Sequence, residues 1–99
     1  MYFIEKTSEF DKWLRKLKDL KAKSKILFRI QKLEKMGHFG DYKSVGSGIL
    51  ELRIHYAKGY RVYFHEKKGT IIILFIGGEK STQKADIKKA KTILEKLKH

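Results

Sequence analysis

Two neighbouring segments of the chain carry the side chains best suited to chemistry. Arg53 and His55 alternate with apolar residues along the first segment, and Arg61 and Tyr63 do so along the second. Strict alternation predicts two β-strands, each with one apolar and one polar face. Arginine binds phosphate through paired hydrogen bonds, histidine can transfer a proton near neutral pH, and tyrosine offers a ring and a hydroxyl. These residue types therefore favour a site that holds a phosphate group.

The expected pairing of the two strands brings these four side chains together. If residues 57–59 close a three-residue hairpin, His55 lies opposite Arg61 and Arg53 lies opposite Tyr63, all on the polar face and away from the core. Like charges on neighbouring strands destabilise each other, and an anionic ligand would remove that repulsion. A solvated sheet face without a ligand is the alternative, and the adjacent arginines count against it.

A second candidate anion site lies where the last predicted strand leads into a helix, in residues 77–84. This segment is not a P-loop, because Gly78 precedes Lys80 by only two residues and the required Gly-x-x-x-x-Gly-Lys-[Ser/Thr] spacing is absent. The free N–H groups at a helix start still favour an anion. Lys80 and Lys84 would strengthen that preference, although capping by Ser81 explains the segment equally well.

The sequence gives little support to metal, thiol or serine chemistry. The chain has no cysteine, which excludes a disulfide, a thiolate nucleophile and a cysteine-ligated zinc site. Its histidines show no ligand spacing, and no Gly-x-Ser-x-Gly segment is present. The four histidines are His38, His55, His65 and the chain-end His99. We therefore expect no metal and no cofactor.

The charge composition points to a polyanionic partner. The 99 residues contain 24 Lys and Arg against 11 Asp and Glu, a formal net charge of +13. The excess is shared by both halves of the chain, so it belongs to the folded body rather than to a tail. A chain of this length fits one domain, residues 1–99, and such a surface attracts polyanions. The alternative is that lysines merely solvate the helix faces.

No segment predicts membrane insertion or export. The longest apolar run, residues 71–76, is far shorter than a membrane-spanning helix. The first residues lack the basic and apolar regions of a secretory signal. We therefore expect a cytoplasmic protein.

Helical periodicity predicts a pair of helices near the N-terminus. Apolar residues recur at helical spacing from Phe10 to Leu17, after a capping signal at Ser8. A second helical stripe, which ends near Gly37, consists of Ala22, Ile26, Ile30 and Leu33. The two stripes point to nearly opposite sides of a common helix axis, so they cannot bury against one core as a single helix. We therefore predict a break at residues 19–21 and a helical hairpin.

The remaining elements complete an α+β fold. Strands are predicted at residues 2–4, 50–56, 60–65 and 70–76, and a last helix follows Gly77 and Gly78, which end the sheet. The fourth strand is apolar on both faces and therefore central, with the N-terminal strand as its second neighbour. The order is β-α-α-β-β-β-α, with a small, mainly antiparallel sheet. We expect the helices on one sheet face and the polar residues on the other.

Several groups of residues occur in one order along nearly the whole chain. They are Gly40-Asp41, Val45-Gly46-Ser47-Gly48, Glu51-Leu52-Arg53-Ile54, Gly59-Tyr60-Arg61-Val62-Tyr63-Phe64 and Gly77-Gly78-Glu79-Lys80-Ser81-Thr82-Gln83. Together they resemble the HigB-like addiction module killer toxins of the RelE/ParE superfamily, which belong to bacterial type II toxin–antitoxin systems. The resemblance implies a small toxin neutralised by a HigA-like helix-turn-helix antitoxin. Many relatives cleave mRNA in the ribosomal A site without a metal.

The resemblance also implies roles for individual residues. Arg61 matches the strand arginine of RelE-type toxins that contacts the scissile phosphate, and Arg53 and His55 lie where such toxins place basic residues. The C-terminal Arg and Tyr of RelE itself have no clean counterpart. In their region this chain has Lys80, Gln83 and Lys84.

The leading hypothesis is therefore a metal-independent endoribonuclease that cleaves mRNA on the ribosome and inhibits translation. His55 would transfer protons, with a nearby lysine as its substitute, and Arg53 and Arg61 would hold the phosphate and stabilise its developing charge. RNA contacts are predicted for Tyr63, which would stack on a base, and for Lys43, Lys80 and Lys84. One alternative is a ParE-like, non-catalytic poison of DNA gyrase, and another is a basic RNA-binding module without toxicity.

Overall fold

Five strands form one mixed β-sheet in the computed structural model, which describes residues 1–98. The strands are β1 (Phe3–Lys6), β2 (Tyr42–Ser44), β3 (Leu50–Ile54), β4 (Tyr60–Lys67) and β5 (Ile71–Glu79). Their spatial order is β1-β5-β4-β3-β2. β5 pairs with β1 in parallel, and the other neighbours are antiparallel. The predicted α+β class is confirmed, as is the N-terminal strand as the second neighbour of the central strand. The short edge strand β2 was not predicted.

Three α-helices accompany the sheet. They are α1 (Ser8–Lys16), α2 (Leu20–Met36) and α3 (Gln83–Leu97), with a 3-10 turn at Lys80–Thr82 before α3. The predicted break between the first two helices is confirmed, because Asp19 caps α2 by accepting a hydrogen bond from Ala22 N at 3.0 Å. Thr7, rather than Ser8, caps α1 through its hydroxyl, which accepts from Phe10 N at 3.0 Å. In residues 1–98, no helix is long and apolar enough to cross a membrane.

Helices cover both faces of the sheet, so the prediction that all of them share one face is wrong. Residues of α1 and α2 pack on one face against Leu52, Val62 and Phe64. On the other face, Ala90 and Leu94 of α3 pack against a cluster that also contains Ile49, Tyr63, Ile73, Phe75 and Ile76. The physical reason lies in β5, whose alternate apolar side chains need a cover on each side. The second face is therefore largely core, and its polar part is confined to one end.

The β3–β4 hairpin has a longer loop than the sequence predicts. Ile54 pairs with Tyr60 and Arg53 pairs with Arg61, so the predicted positions of His55 opposite Arg61 and Arg53 opposite Tyr63 are wrong. The chain leaves the ladder directly after Ile54 because residues 55–59 form a separate turn. In that turn, Gly59 N donates to the carbonyl of residue 56 at 2.9 Å. His55 therefore lies in the loop rather than on a strand.

Gly77 and Gly78 lie within β5, so the prediction that they end the sheet is wrong. A Cβ atom at Gly77 would overlap the ring of Trp13 from α1, and one at Gly78 would overlap the carboxylate of Asp86 from α3. The two glycines therefore permit close approach of a helix on each face.

Candidate functional site

A cleft of about 570 Å³ lies at the end of the sheet where the β3–β4 loop meets the 3-10 turn. It brings together the predicted site residues Arg53, His55, Arg61 and Lys80. The rest of its wall comes from Tyr56, Ala57, Lys58 and Gly59. Within residues 1–98 it is lined by two arginines and two lysines and by no acidic side chain, so the cleft suits an anionic ligand.

Arg53 and Arg61 lie directly opposite each other on β3 and β4. Arg61 is only 7% exposed, and its Nη1 donates to the carbonyl of Gly59 at 2.9 Å. Its Nε lies 3.6 Å from Oε2 of Glu51, while Arg53 Nη2 donates to Oδ1 of Asp41 at 3.2 Å. The expected like-charge pair is therefore present, but two carboxylates of the chain itself offset the repulsion. The arginine pair is thus no longer an argument for a bound anion by itself.

His55 forms a charge-assisted pair with Asp41, between Nε2 of the ring and Oδ2 of the carboxylate. The hydrogen bond from His55, aided by the guanidinium of Arg53, holds the pKa of Asp41 below its usual value. The histidine side chain is 70% exposed, so its ring is accessible from the cleft. Asp41 is a site residue that sequence reasoning missed as a functional group. The sequence pointed to Asp41 in one way only, because Gly40-Asp41 is one of the groups of residues that carry the family resemblance.

Arg29 of α2 fixes the loop that carries Asp41. Its Nη1 donates to the carbonyl of Arg53 at 2.7 Å, and its Nη2 donates to the carbonyls of Phe39 and Asp41 at 3.0 and 3.1 Å. The guanidinium therefore ties the helix to both β3 and the loop. Sequence reasoning did not single it out, because an arginine on a lysine-rich helix is typical of a solvated face.

Tyr63 is fully buried, so the prediction that it lies on an open face of the sheet is wrong. Its hydroxyl donates to Oε2 of Glu51 at 3.0 Å, and Gln83 Nε2 donates to the same oxygen at 2.7 Å. Burial, and secondarily the carboxylate of Glu51, raises the pKa of Tyr63 far above its usual value. The predicted stacking of Tyr63 on a base is therefore wrong for this conformation, since α3 covers the face on which the ring lies.

Of the three lysines predicted to contact RNA, Lys43 and Lys84 lie outside the cleft. Lys84 is exposed in the first turn of α3, and Lys43 is exposed on the edge strand β2. Lys80 is exposed and lines the cleft. The contact of these lysines with RNA stays a prediction.

The described part of the chain contains no group of three or more His, Cys, Asp or Glu side chains placed to hold a metal ion. Asp41 and His55 are adjacent, but they are two groups without a third. The chain-end His99, counted among the histidines without ligand spacing, lies outside the described residues.

The fold places the chain among the small α+β proteins that include the solved RelE toxin. The isolated E. coli RelE toxin matches with a TM-score of 0.65 and 14% identity, over 89% of this chain and 98% of that chain. A chain of the intact E. coli RelBE toxin–antitoxin complex matches with a TM-score of 0.66 and 15% identity, over 80% and 96%. The solution structure of the conserved hypothetical protein HP0894 from Helicobacter pylori matches with a TM-score of 0.54 and 19% identity, over 82% and 97%. At these identities the similarity concerns the fold.

Within that class, the chain belongs to the family described as phage derived protein Gp49-like (DUF891), whose model matches residues 12–98. An uncharacterized protein of Haemophilus influenzae is 53% identical over 94 residues, which cover 95% of this chain and 94% of the relative. The RelE-like fold implied by the sequence is thus confirmed. The narrower HigB-like assignment stays a prediction.

Proposed function

We propose that this protein is the toxin of a type II toxin–antitoxin system and that it inhibits translation by cleaving mRNA on the ribosome. The observation that supports this most directly is the convergence of Arg53, His55, Arg61 and Lys80 on one cleft. A RelE-like fold and membership of the Gp49-like family agree with the same class of activity. The accessible ring of His55 in the same cleft as the two arginines favours a nuclease over a protein that only binds another protein.

The proposed reaction is a metal-independent transesterification within the RNA strand. The ribose 2′-oxygen attacks the adjacent phosphorus, the bond from phosphorus to the 5′-oxygen breaks, and the products are a cyclic phosphate and a free 5′-hydroxyl. The guanidinium groups of Arg53 and Arg61 hold the phosphate and stabilise the charge that develops on its oxygens. Their position on adjacent strands allows both to reach one phosphate.

His55 is the proposed proton acceptor for the 2′-hydroxyl. Its Nε2 is held by Asp41, so in the neutral ring the proton resides on Nε2 and the lone pair of Nδ1 is free for the substrate. The leaving 5′-oxygen takes a proton from an ammonium group at the rim, for which Lys80 is the candidate. His55 thus takes up one proton and Lys80 supplies one, so both proton transfers involve groups of the same cleft.

The proposed partners follow from the surface charge and the fold. The net charge of +13 suits the RNA of a ribosome, with Lys43, Lys80 and Lys84 as additional contacts to the RNA. The RelBE complex is a structural neighbour that contains an antitoxin, so an antitoxin is the expected protein partner here. We propose the helix-turn-helix, HigA-like type for it, and a cytoplasmic location, where translating ribosomes are found.

Inducible expression in bacteria tests the proposal. We expect growth arrest, with mRNA cut at codon boundaries in primer extension, and loss of both when Arg53 is replaced by Ala. Arg15→Ala is the matched control, because Arg15 is exposed on α1 and does not line the cleft. Growth arrest accompanied by DNA breaks and an SOS response, without mRNA cleavage, would instead support the gyrase poison. Full activity of Arg53→Ala would contradict the proposed site.

A further inference from the structure

A fully buried carboxylate lies behind the cleft and has no role in the reaction proposed above. Glu51 is 0% exposed and occupies the position on β3 directly opposite Tyr63 on β4. Glutamate is among the residues least often fully buried, because a carboxylate removed from water must be compensated by partners. Its presence inside so small a protein therefore calls for a physical reason.

Three groups from two other elements surround one oxygen of this carboxylate. Oε2 of Glu51 accepts hydrogen bonds from the Tyr63 hydroxyl at 3.0 Å and from Gln83 Nε2 at 2.7 Å. The Nε atom of Arg61 lies 3.6 Å from the same oxygen. Because Tyr63 lies on β4 and Gln83 begins α3, the carboxylate is fixed by the sheet and by the helix at once. The raised pKa of Tyr63 keeps its hydroxyl protonated as the donor.

We propose that Glu51 is a positioning residue for Arg61. The carboxylate attracts the inner, Nε edge of the guanidinium and so turns its outer, Nη edge toward the cleft, where a phosphate would bind. Tyr63 and Gln83 hold the carboxylate in place and do not touch the ligand. That the outer edge meets the phosphate of RNA rests on the proposed function, whereas the orientation of Arg61 by Glu51 does not.

Two further features favour positioning over simple core packing. Arg61 faces Arg53 across the strands, so without Glu51 the two guanidinium groups would repel and turn apart. In addition, within residues 1–98 neither Glu51 Oε1 nor Arg61 Nε has a hydrogen-bond partner. A carboxylate that served packing alone would be replaced at lower cost by an apolar side chain, because a buried ion pair with incomplete hydrogen bonding contributes little net stability.

The variant Glu51→Gln tests this proposal by removing the charge while keeping the shape of the side chain. The chain has four arginines, so the Nε–H signal of Arg61 in a ¹H–¹⁵N spectrum can be assigned by its loss in Arg61→Lys. We expect this signal to shift and to exchange faster with water in Glu51→Gln. Glu5→Gln is the matched control, since Glu5 is exposed on the edge strand β1, and should leave the signal unchanged. An unmoved Arg61 signal in Glu51→Gln would overturn the proposal.

The second part of the test measures the rate of RNA cleavage by the same variants. Loss of an outer group that orients a metal ligand typically costs about 10- to 100-fold in activity, and we expect Glu51→Gln to lower the single-turnover rate by a similar factor. In the Arg61→Lys background the same change should cost less than about threefold, because residues that act through one another are not additive. An equal loss in both backgrounds would show that Glu51 acts structurally and would overturn the proposal. If the unmodified protein does not cleave RNA, the proposed function fails, and the Arg61 signal still decides the role of Glu51.

A second variant covers the case in which Glu51→Gln does not fold. Tyr63→Phe removes only the hydroxyl that holds the carboxylate, and Tyr60→Phe is its control on the opposite face of the same strand. We expect the Arg61 signal to move in the first variant and not in the second. Identical spectra of the Arg61 group in both variants would contradict the proposal.

Discussion

Arg61 is a proposed phosphate ligand that the structure buries, which changes what its removal should do. The alternation pattern places it on a polar face without core contacts, whereas the structure buries it beside Glu51. Arg61→Ala leaves a buried carboxylate without its cation, and breaking such a pair costs about 3–5 kcal/mol. We therefore expect Arg61→Ala to unfold at a clearly lower denaturant concentration, while Arg61→Lys loses much less stability. Equal unfolding midpoints of Arg61→Ala and the unmodified protein would contradict the buried pair.

The pairing of Asp41 with His55 makes the stability of the folded protein depend on pH. The pKa of Asp41 is lowered in the folded protein, chiefly by the hydrogen bond with His55, so its ionised form stabilises the fold above the ordinary aspartate pKa of about 3.9. That contribution is lost as the pH falls through the lowered, folded pKa. We expect the melting temperature of the unmodified protein to exceed that of Asp41→Asn at pH 6 and the difference to shrink below about pH 4. A constant difference from pH 6 to pH 3 would contradict the pairing.

The central strand β5 depends on two glycines for the packing of helices on both faces. A methyl group at Gly77 would overlap the indole of Trp13, and overpacking of this kind typically costs about 1–3 kcal/mol. We expect Gly77→Ala to lower the free energy of unfolding by this amount, as measured by denaturant titration. Trp13→Leu in the same chain should recover part of the loss, because it removes the ring that clashes. Additive losses in the double variant would show that the clash lies elsewhere.

Helix phase and strand alternation predicted most of the elements. The opposite phases of the stripes within residues 10–33 predicted the helical hairpin, and the break occurs at residues 17–19. The edge strand β2 was missed because three exposed residues carry no periodicity of their own. The position of α3 was also missed, since its stripe shows that it buries an apolar side but not which sheet face receives it.

The charge of the whole molecule predicts salt-sensitive binding to RNA. With a net charge of +13, the free protein should bind ribosomes or single-stranded RNA mainly by displacing counterions from phosphates. We expect the affinity in a ribosome-pelleting assay to fall steeply between 50 and 200 mM salt, by about 10³-fold if six or more phosphates are contacted. Binding that is unchanged over this range would mean that the charge serves solubility alone.

Local patterns determined the fold class, the helical hairpin, the central strand and the candidate residues Arg53, His55, Arg61 and Lys80, because these features depend on residues close in the chain. The burial of a side chain and the identity of its hydrogen-bond and ion-pair partners depend on contacts between segments that are distant in the chain. The turn at residues 55–59 set the register that pairs the two arginines. Packing of α3 on the sheet buries Tyr63 and Glu51, although strand alternation alone predicts that both side chains face water. A polar residue at an alternating position looks the same whether water or a helix covers it, so only packing showed that Glu51 lies beneath Arg61.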